Sequence, residues 1–239
     1  MHIAFLTTEY PPLPSGGIGI SIRNLAHVYV KMGMRVSVIG WGPKEEFEDH
    51  GVQVHFLGET KIPKLGWYLN RRLVQTELNR MVREDGLDIV EVHDWAGVSA
   101  GMRLDCPLVI RCHGTSTYFA HLLNQSARPG VNWAERFALW GADDIVAVSQ
   151  FTAETTRDLF NLKSPIHVIH NGIDTARFQP TPAHLVDPDT ILYLGTLVRK
   201  KGVLDLAQIF SQVVEEIPEA QFHLVGRDAA DTATGAPST

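Results

Sequence analysis

Residues 2–40 read HIAFLTTEYPPLPSGGIGISIRNLAHVYVKMGMRVSVIG. Each end is a short apolar run rich in β-formers. Between them Ile22, Leu25, Ala26, Tyr29 and Met32 recur at helical spacing, and Gly33 supplies a stop. The order is strand, glycine loop, helix, strand. Working outward, the alternation continues through VQVHFL (52–57), a helix near 67–85, DIVEVHD (88–94), a short helix near 96–103 and PLVIRCHG (107–114). A helical region around 131–141, DDIVAVS (143–149), a helix from about 150 to 161 and PIHVIHNG (165–172) complete it. Continuous apolar strands alternating with helices specify an α/β fold, a Rossmann-like parallel sheet covered on both faces. Such sheets bind ligands in the crevice beyond the carboxyl ends of their strands. That edge receives Glu9 and the glycine loop, His93 with Asp94, His113 with Gly114, Ser149, and Asn171 with Gly172.

After Gly172 the periodicity stops. Residues 173–189, IDTARFQPTPAHLVDPD, carry three prolines and read as a linker between a first domain, 1–172, and a second, 190–239. The second offers TILYLG, then VLDLAQIFSQVVEEI, then AQFHLVG, a single βαβ unit. Below about 40 residues a unit does not close a core alone, so this domain is expected to be incomplete.

The formal net charge of −6 excludes a general polyanion binder, and with it a nucleic-acid partner. Cys106 and Cys112 would lie about 20 Å apart along one strand, beyond disulfide reach, which suits a reducing compartment. Met1 leads straight into HIAFLTTE, with neither a cationic leader nor a long apolar run, so a cytoplasmic protein is expected. No metal-type cysteine cluster is present, and neither a metal nor a cofactor is expected.

The glycine loop carries the first chemical signal. A helix amino terminus exposes unpaired N–H groups and the positive end of the helix dipole, so it holds a phosphate without a cationic side chain. Gly16, Gly17 and Gly19 would clear space and permit unusual dihedrals there, while Pro11, Pro12 and Pro14 restrict the approach. A dinucleotide fingerprint fits poorly. Seven residues separate the strand from the first glycine, Ile22 stands where a third glycine belongs, and VIGWG ends the second strand without an acid. A plain capped turn is the bland alternative.

With this loop, VHDW (92–95), RCHG (111–114), VIHNGIDTARFQP (168–180) and GTLVRKKG (195–202) in order, the chain resembles the retaining glycosyltransferases of family 4, of GT-B architecture, from Met1 to about Arg227. The resemblance implies two Rossmann-like domains, the first chiefly for the acceptor and the second for a nucleotide-sugar co-substrate. It places Gly16, Gly17 and Gly19 near the donor phosphates, His113 beside the transferred sugar, and Asn171 and Gly172 in the stretch leading to the second domain. Lys201, before Gly202, would meet the leaving diphosphate. The arginine of that motif is Thr196 here, leaving Arg199 as the substitute charge. The family's paired glutamates and base pocket would fall beyond Thr239. Negative charge grows on the leaving diphosphate, so fixed N–H dipoles with Lys201 and Arg199 would stabilise the transition state above the ground state. Retention implies front-face attack, with His113 positioning the donor sugar.

Other readings stay open beside this one. A histidine after a buried strand is commonly a packed residue. His93 and Asp94 would either face the acceptor or form a structural hydrogen-bond pair. Ser149 is expected to cap the following helix. Lys61, Lys64, Arg71 and Arg72 beside Trp67 and Tyr68 suggest peripheral contact with the cytoplasmic face of a membrane, which suits a lipid-linked acceptor as well as a carbohydrate one. The runner-up function is a non-catalytic sugar- or phosphate-binding module.

Overall fold

Alternation within the strands decides where the core sits. The structure, a computed structural model, describes residues 1–63 and 65–230. In β1 (His2–Leu6) Ile3 and Phe5 point to one face, and Ala4 and Leu6 to the other. The first pair packs with Val36 and Val38 of β2 (Arg35–Gly40) beneath Ile22 and Ala26 of α1 (Gly17–Lys31). The second pair joins a larger cluster with Val74 and Leu78 of α2 (Gly66–Asp85), Ala134 and Ala138 of α4 (Pro129–Trp140), and Ala153 and Phe160 of α5 (Gln150–Phe160). Both faces of the sheet are covered, as parallel strands require.

The remaining strands of this sheet are β3 (Glu45–Asp49), β4 (Val52–Phe56), β5 (Ile89–His93), β6 (Leu108–Cys112), β7 (Asp144–Ala147) and β8 (His167–Val168). Their order is β3-β4-β2-β1-β5-β6-β7-β8, parallel throughout except for β3 against β4. The chain runs outward from β1 in both directions, so β1 and β5 flank the topological switch point.

Three elements differ from the sequence reading. The acidic run EEFED forms β3, an edge strand turned onto β4 through His50 and Gly51, both at positive φ. The helix expected near 96–103 is only a 3₁₀ turn at Trp95–Gly97, because Ala96, Gly97 and Gly101 all take positive φ. Gly97 is needed there, since a side chain would run into the backbone of Ala134 on α4. A short helix of seven residues, α3 (Ser116–Leu122), stands where none was expected.

The chain divides into two compact units, Met1–Thr175 and Ala176–Thr239. In the second, β9 (Thr190–Leu194) pairs in parallel with β10 (Gln221–Val225), and α6 (Val203–Glu216) connects them. Phe210 of α6 stacks on Phe222 of β10 with centroids 3.8 Å apart. Leu192, Leu194 and Leu224 remain exposed, and α6 buries no residue fully.

Candidate functional site at the carboxyl edge of the sheet

Two buried carboxylates organise the loop after β6. Asp94, 2% exposed, accepts the amide of His113 on Oδ1 and that of Gly114 on Oδ2, both at 3.0 Å. Glu135 comes from α4 and is fully buried. Its Oε1 accepts from Ala96 at 3.0 Å and Ser116 at 2.7 Å, and its Oε2 from Thr117 at 3.1 Å. The Thr115 hydroxyl then accepts from Tyr118 at 2.9 Å, capping α3. Charge-assisted bonds to amides are strong in a dry interior. The backbone that presents His113 is therefore rigid.

The His113 ring is half-buried, and burial, with Arg111 adding, pulls its pKa down to about 4. Arg111 is itself held by Glu91 at 2.7 and 3.1 Å. At neutral pH His113 is thus an uncharged imidazole, suited to hydrogen bonding rather than to charge neutralisation. His93 is 4% exposed, and neither ring nitrogen has a protein partner. Burial, with His113 adding, brings it to about 4 as well. Of the two readings left open for His93 and Asp94, the hydrogen-bonded pair does not form. Asp94 is spent on backbone amides instead.

The glycine loop also departs from expectation. Glu9 reaches across it, Oε2 accepting from the Gly16 amide at 2.8 Å and Oε1 from Gly19 at 2.9 Å. A carboxylate already occupies two amides that the sequence reading left bare for phosphate, as the dipole at the start of α1 favours. Only the Gly17 and Ile18 amides lack a described partner there. None of Gly16, Gly17 and Gly19 takes positive φ. Gly19 is required because Glu9 passes so close that a Cβ would lie 3.0 Å from its carbonyl oxygen, whereas Gly17 faces open space. Replacing Glu9 with alanine removes this cap and is expected to cost about 1–2 kcal/mol in urea unfolding; an unchanged midpoint would show that water serves the two amides equally well.

The other expected residues scatter. Asn171 and Gly172 line a separate cleft of about 450 Å³ together with Asn24 and Val28 of α1 and with Arg111. Arg199 and Lys201 lie in the second unit, in the turn before α6. Ser149 caps α5 by accepting from Thr152 at 3.1 Å. Arg71 is not membrane-facing but buried, and Lys64 lies outside the described residues. Among the described residues no helix is long and apolar enough to cross a membrane, and no His, Cys, Asp and Glu group is arranged to hold a metal ion.

A further concavity at this edge has no counterpart among the sequence expectations. It is a cleft of about 990 Å³ opening where β1, β2 and β5 end, walled by Trp41, Trp67, Trp95 and Trp133 and floored by Arg71. Glu135 and Trp133 share one helix, and the stretch VNWAERFALWG was read only for its helical period. An acid at position 135, inside the stripe of Ala134, Ala138 and Leu139, was the signal available.

The sequence model of Glycosyltransferase Family 4 matches residues 15–177. The chain belongs to glycosyltransferase family 4. This family 4 chain is 26% identical over 235 residues to an uncharacterized glycosyltransferase of Methanocaldococcus jannaschii, covering 90% of this chain and 60% of that protein. It is 24% identical over 238 residues to the alpha-maltose-1-phosphate synthase of Mycolicibacterium smegmatis, covering 86% and 56%. It therefore spans under two thirds of the length of these relatives. Among solved structures, a sucrose-phosphate synthase from Thermosynechococcus elongatus superposes with a TM-score of 0.73 at 18% identity, over 99% of this chain and 64% of that one. That likeness supports the GT-B class of fold: an α/β, Rossmann-like unit followed by part of another.

Proposed function

We propose that this family 4 chain takes part in moving a sugar from a nucleotide-diphosphate sugar to an acceptor hydroxyl with retention of anomeric configuration. The observation that carries the reading is the His113 loop, clamped by Asp94 and Glu135 at the switch-point edge, where a neutral imidazole stands ready to hydrogen-bond. In this reading His113 orients the donor sugar by a hydrogen bond to a ring hydroxyl. In the first unit, electrostatic help to the leaving diphosphate falls to the remaining α1 amides of Gly17 and Ile18, since Glu9 holds Gly16 and Gly19; in the second unit, Lys201 and Arg199 are the cations suited to that role. In this reading the domain expected over 1–172 takes the acceptor, the stretch 173–189 links, and 190–239 belongs to the donor side. Glu9 serves the site by fixing the loop, and His93 and Asp94 serve it from beneath. The setting is cytoplasmic, and the acceptor is a carbohydrate or a lipid-linked sugar.

The test is a calorimetric titration of the 239-residue chain with UDP-glucose and GDP-mannose, followed by NMR of the anomeric proton in any product. Saturable donor binding with a retained α-linkage in the product is expected. Donor affinity without transfer, or no affinity at all, would return the chain to a sugar- or phosphate-binding module.

A further inference from the structure

The tryptophan-walled cleft has a chemistry that the reading above does not use. Four of the chain's five tryptophans line it, each from a different segment: Trp41 after β2, Trp67 in the first turn of α2, Trp95 after β5 and Trp133 on α4. Trp67, Trp95 and Trp133 are 44%, 42% and 56% exposed, an unusual outlay of indole surface into one concavity. Trp133 is braced by Phe137, whose ring stacks on it at 5.1 Å and 8°. An indole face is electron-rich and attracts the weakly positive C–H groups along one side of a pyranose ring.

The floor adds a charge. Arg71 is 6% exposed, and its guanidinium lies 4.1 Å from the ring centre of Trp67 and 5.5 Å from that of Trp41. Its terminal nitrogens donate to the carbonyls of Trp67, Ala96 and Gly97 at 3.1, 3.3 and 2.7 Å, while Nε has no partner. Among the described residues no carboxylate pairs with it. A buried cation without a counter-ion is costly, and burial alone draws its pKa down to about 10. Lys61 and Arg128 also line the cleft, against one acid, Glu59. Lys61 and Glu59 approach to 3.7 Å, but Lys61 is so exposed that their pairing is weak. This local excess of positive charge opposes the balance of the whole chain, 21 basic against 27 acidic residues.

We infer that the cleft binds an acidic sugar, its pyranose ring against the tryptophan faces and its phosphate or carboxylate toward Lys61, Arg128 and Arg71. The inference rests on the acceptor role proposed for this unit and names the class of acceptor it takes. The acidic group would offset the uncompensated charge of Arg71 through a low-dielectric floor, where a charge pair is worth more than in water.

Tryptophan emission of the 239-residue chain reads the cleft directly. Titration at fixed ionic strength with glucose 6-phosphate, mannose 6-phosphate and glucuronate is expected to give a saturable change for at least one. Its Kd should lie at least about tenfold below that of glucose, and inorganic phosphate alone should give no change. Phosphatidylcholine vesicles doped with phosphatidylinositol test a lipid-borne acidic polyol as the source; a saturable change with these alone supports the inference and assigns the lipid. Lys61→Ala combined with Arg128→Ala, both surface changes, should weaken the acidic ligand about tenfold and leave glucose unaltered. Glucose binding as tightly as its acidic counterparts, an unaffected double variant, displacement of the acidic sugar by UDP, or no change with any of these probes overturns the inference. Donor binding, followed separately by calorimetry, is free to fail or succeed on its own, so loss of the proposed transfer and loss of this acceptor class are told apart.

Discussion

Replacing Glu135 with alanine is expected to remove about 3–5 kcal/mol of unfolding free energy. Its carboxylate is fully buried and serves the amides of Ala96, Ser116 and Thr117 from three points on two loops. Each buried donor left without an acceptor costs about 1–3 kcal/mol, partly recovered where the backbone relaxes or water enters. Domains of this size have only about 5–15 kcal/mol to lose, so the variant sits near the edge of folding. Glu135→Gln keeps one acceptor oxygen and puts an amide donor against another N–H, so an intermediate loss follows. Urea unfolding monitored by tryptophan emission orders the three proteins. A loss below about 1 kcal/mol for the alanine variant would mean that the His113 loop is held by other forces, and the rigid-loop premise of the proposed function would fall with it.

How much of this was legible in the sequence follows from the range of the interactions involved. Strands β1, β2 and β5 to β7 declare themselves because their apolar runs are continuous, and helices α1, α2 and α5 because their burial follows a single period. The positions Glu9, His93, Asp94 and His113 were located for the same reason: the residue after a parallel strand must fall at the carboxyl edge. Their roles were not legible. Whether Asp94 meets His93 or the amides of the next strand's loop depends on which strand lies beside β5, and local pattern carries no information on strand order. Glu135 was missed because an acid on an apolar stripe reads as an error in periodicity until its three amide partners, up to 39 residues away in sequence, are brought beneath it. The four tryptophans of the cleft are scattered from position 41 to 133, and only the strand order β2-β1-β5 together with the packing of α2 and α4 gathers them. EEFED was passed over because charge normally argues against a strand, yet an edge strand with polar side chains outward is how sheets discourage further pairing.

The second large effect is on the pH dependence of stability, and it isolates His93. Its folded-state pKa of about 4 lies below the usual 6.5, so the unfolded chain takes up a proton that the folded chain refuses between these values. The contribution is fully present above about pH 6.5 and is lost as pH falls toward 4, amounting to about 3 kcal/mol for a shift of this size. The wild-type curve alone hides it. Asp94, raised to about 7 by burial against the pull of its two amide donors, has the opposite sign: the folded state holds its proton longer, and stability falls as pH rises from about 4 to 7. His113 adds to the slope of His93, being lowered to about 4 as well. The difference between His93→Leu and wild type cancels the shared contributions. Across pH 7 to 4 the leucine variant is expected to gain on the wild type by about 3 kcal/mol, with the steepest change between pH 6 and 4.5. At pH 7 the variant should already be no less stable, since two ring nitrogens without protein partners are exchanged for an apolar side chain of similar volume. A difference curve that stays flat from pH 7 to 4 would mean that His93 titrates normally. The ring would then have access to water from the crevice, and the dry, fixed floor beneath His113 on which the positioning role depends would be lost.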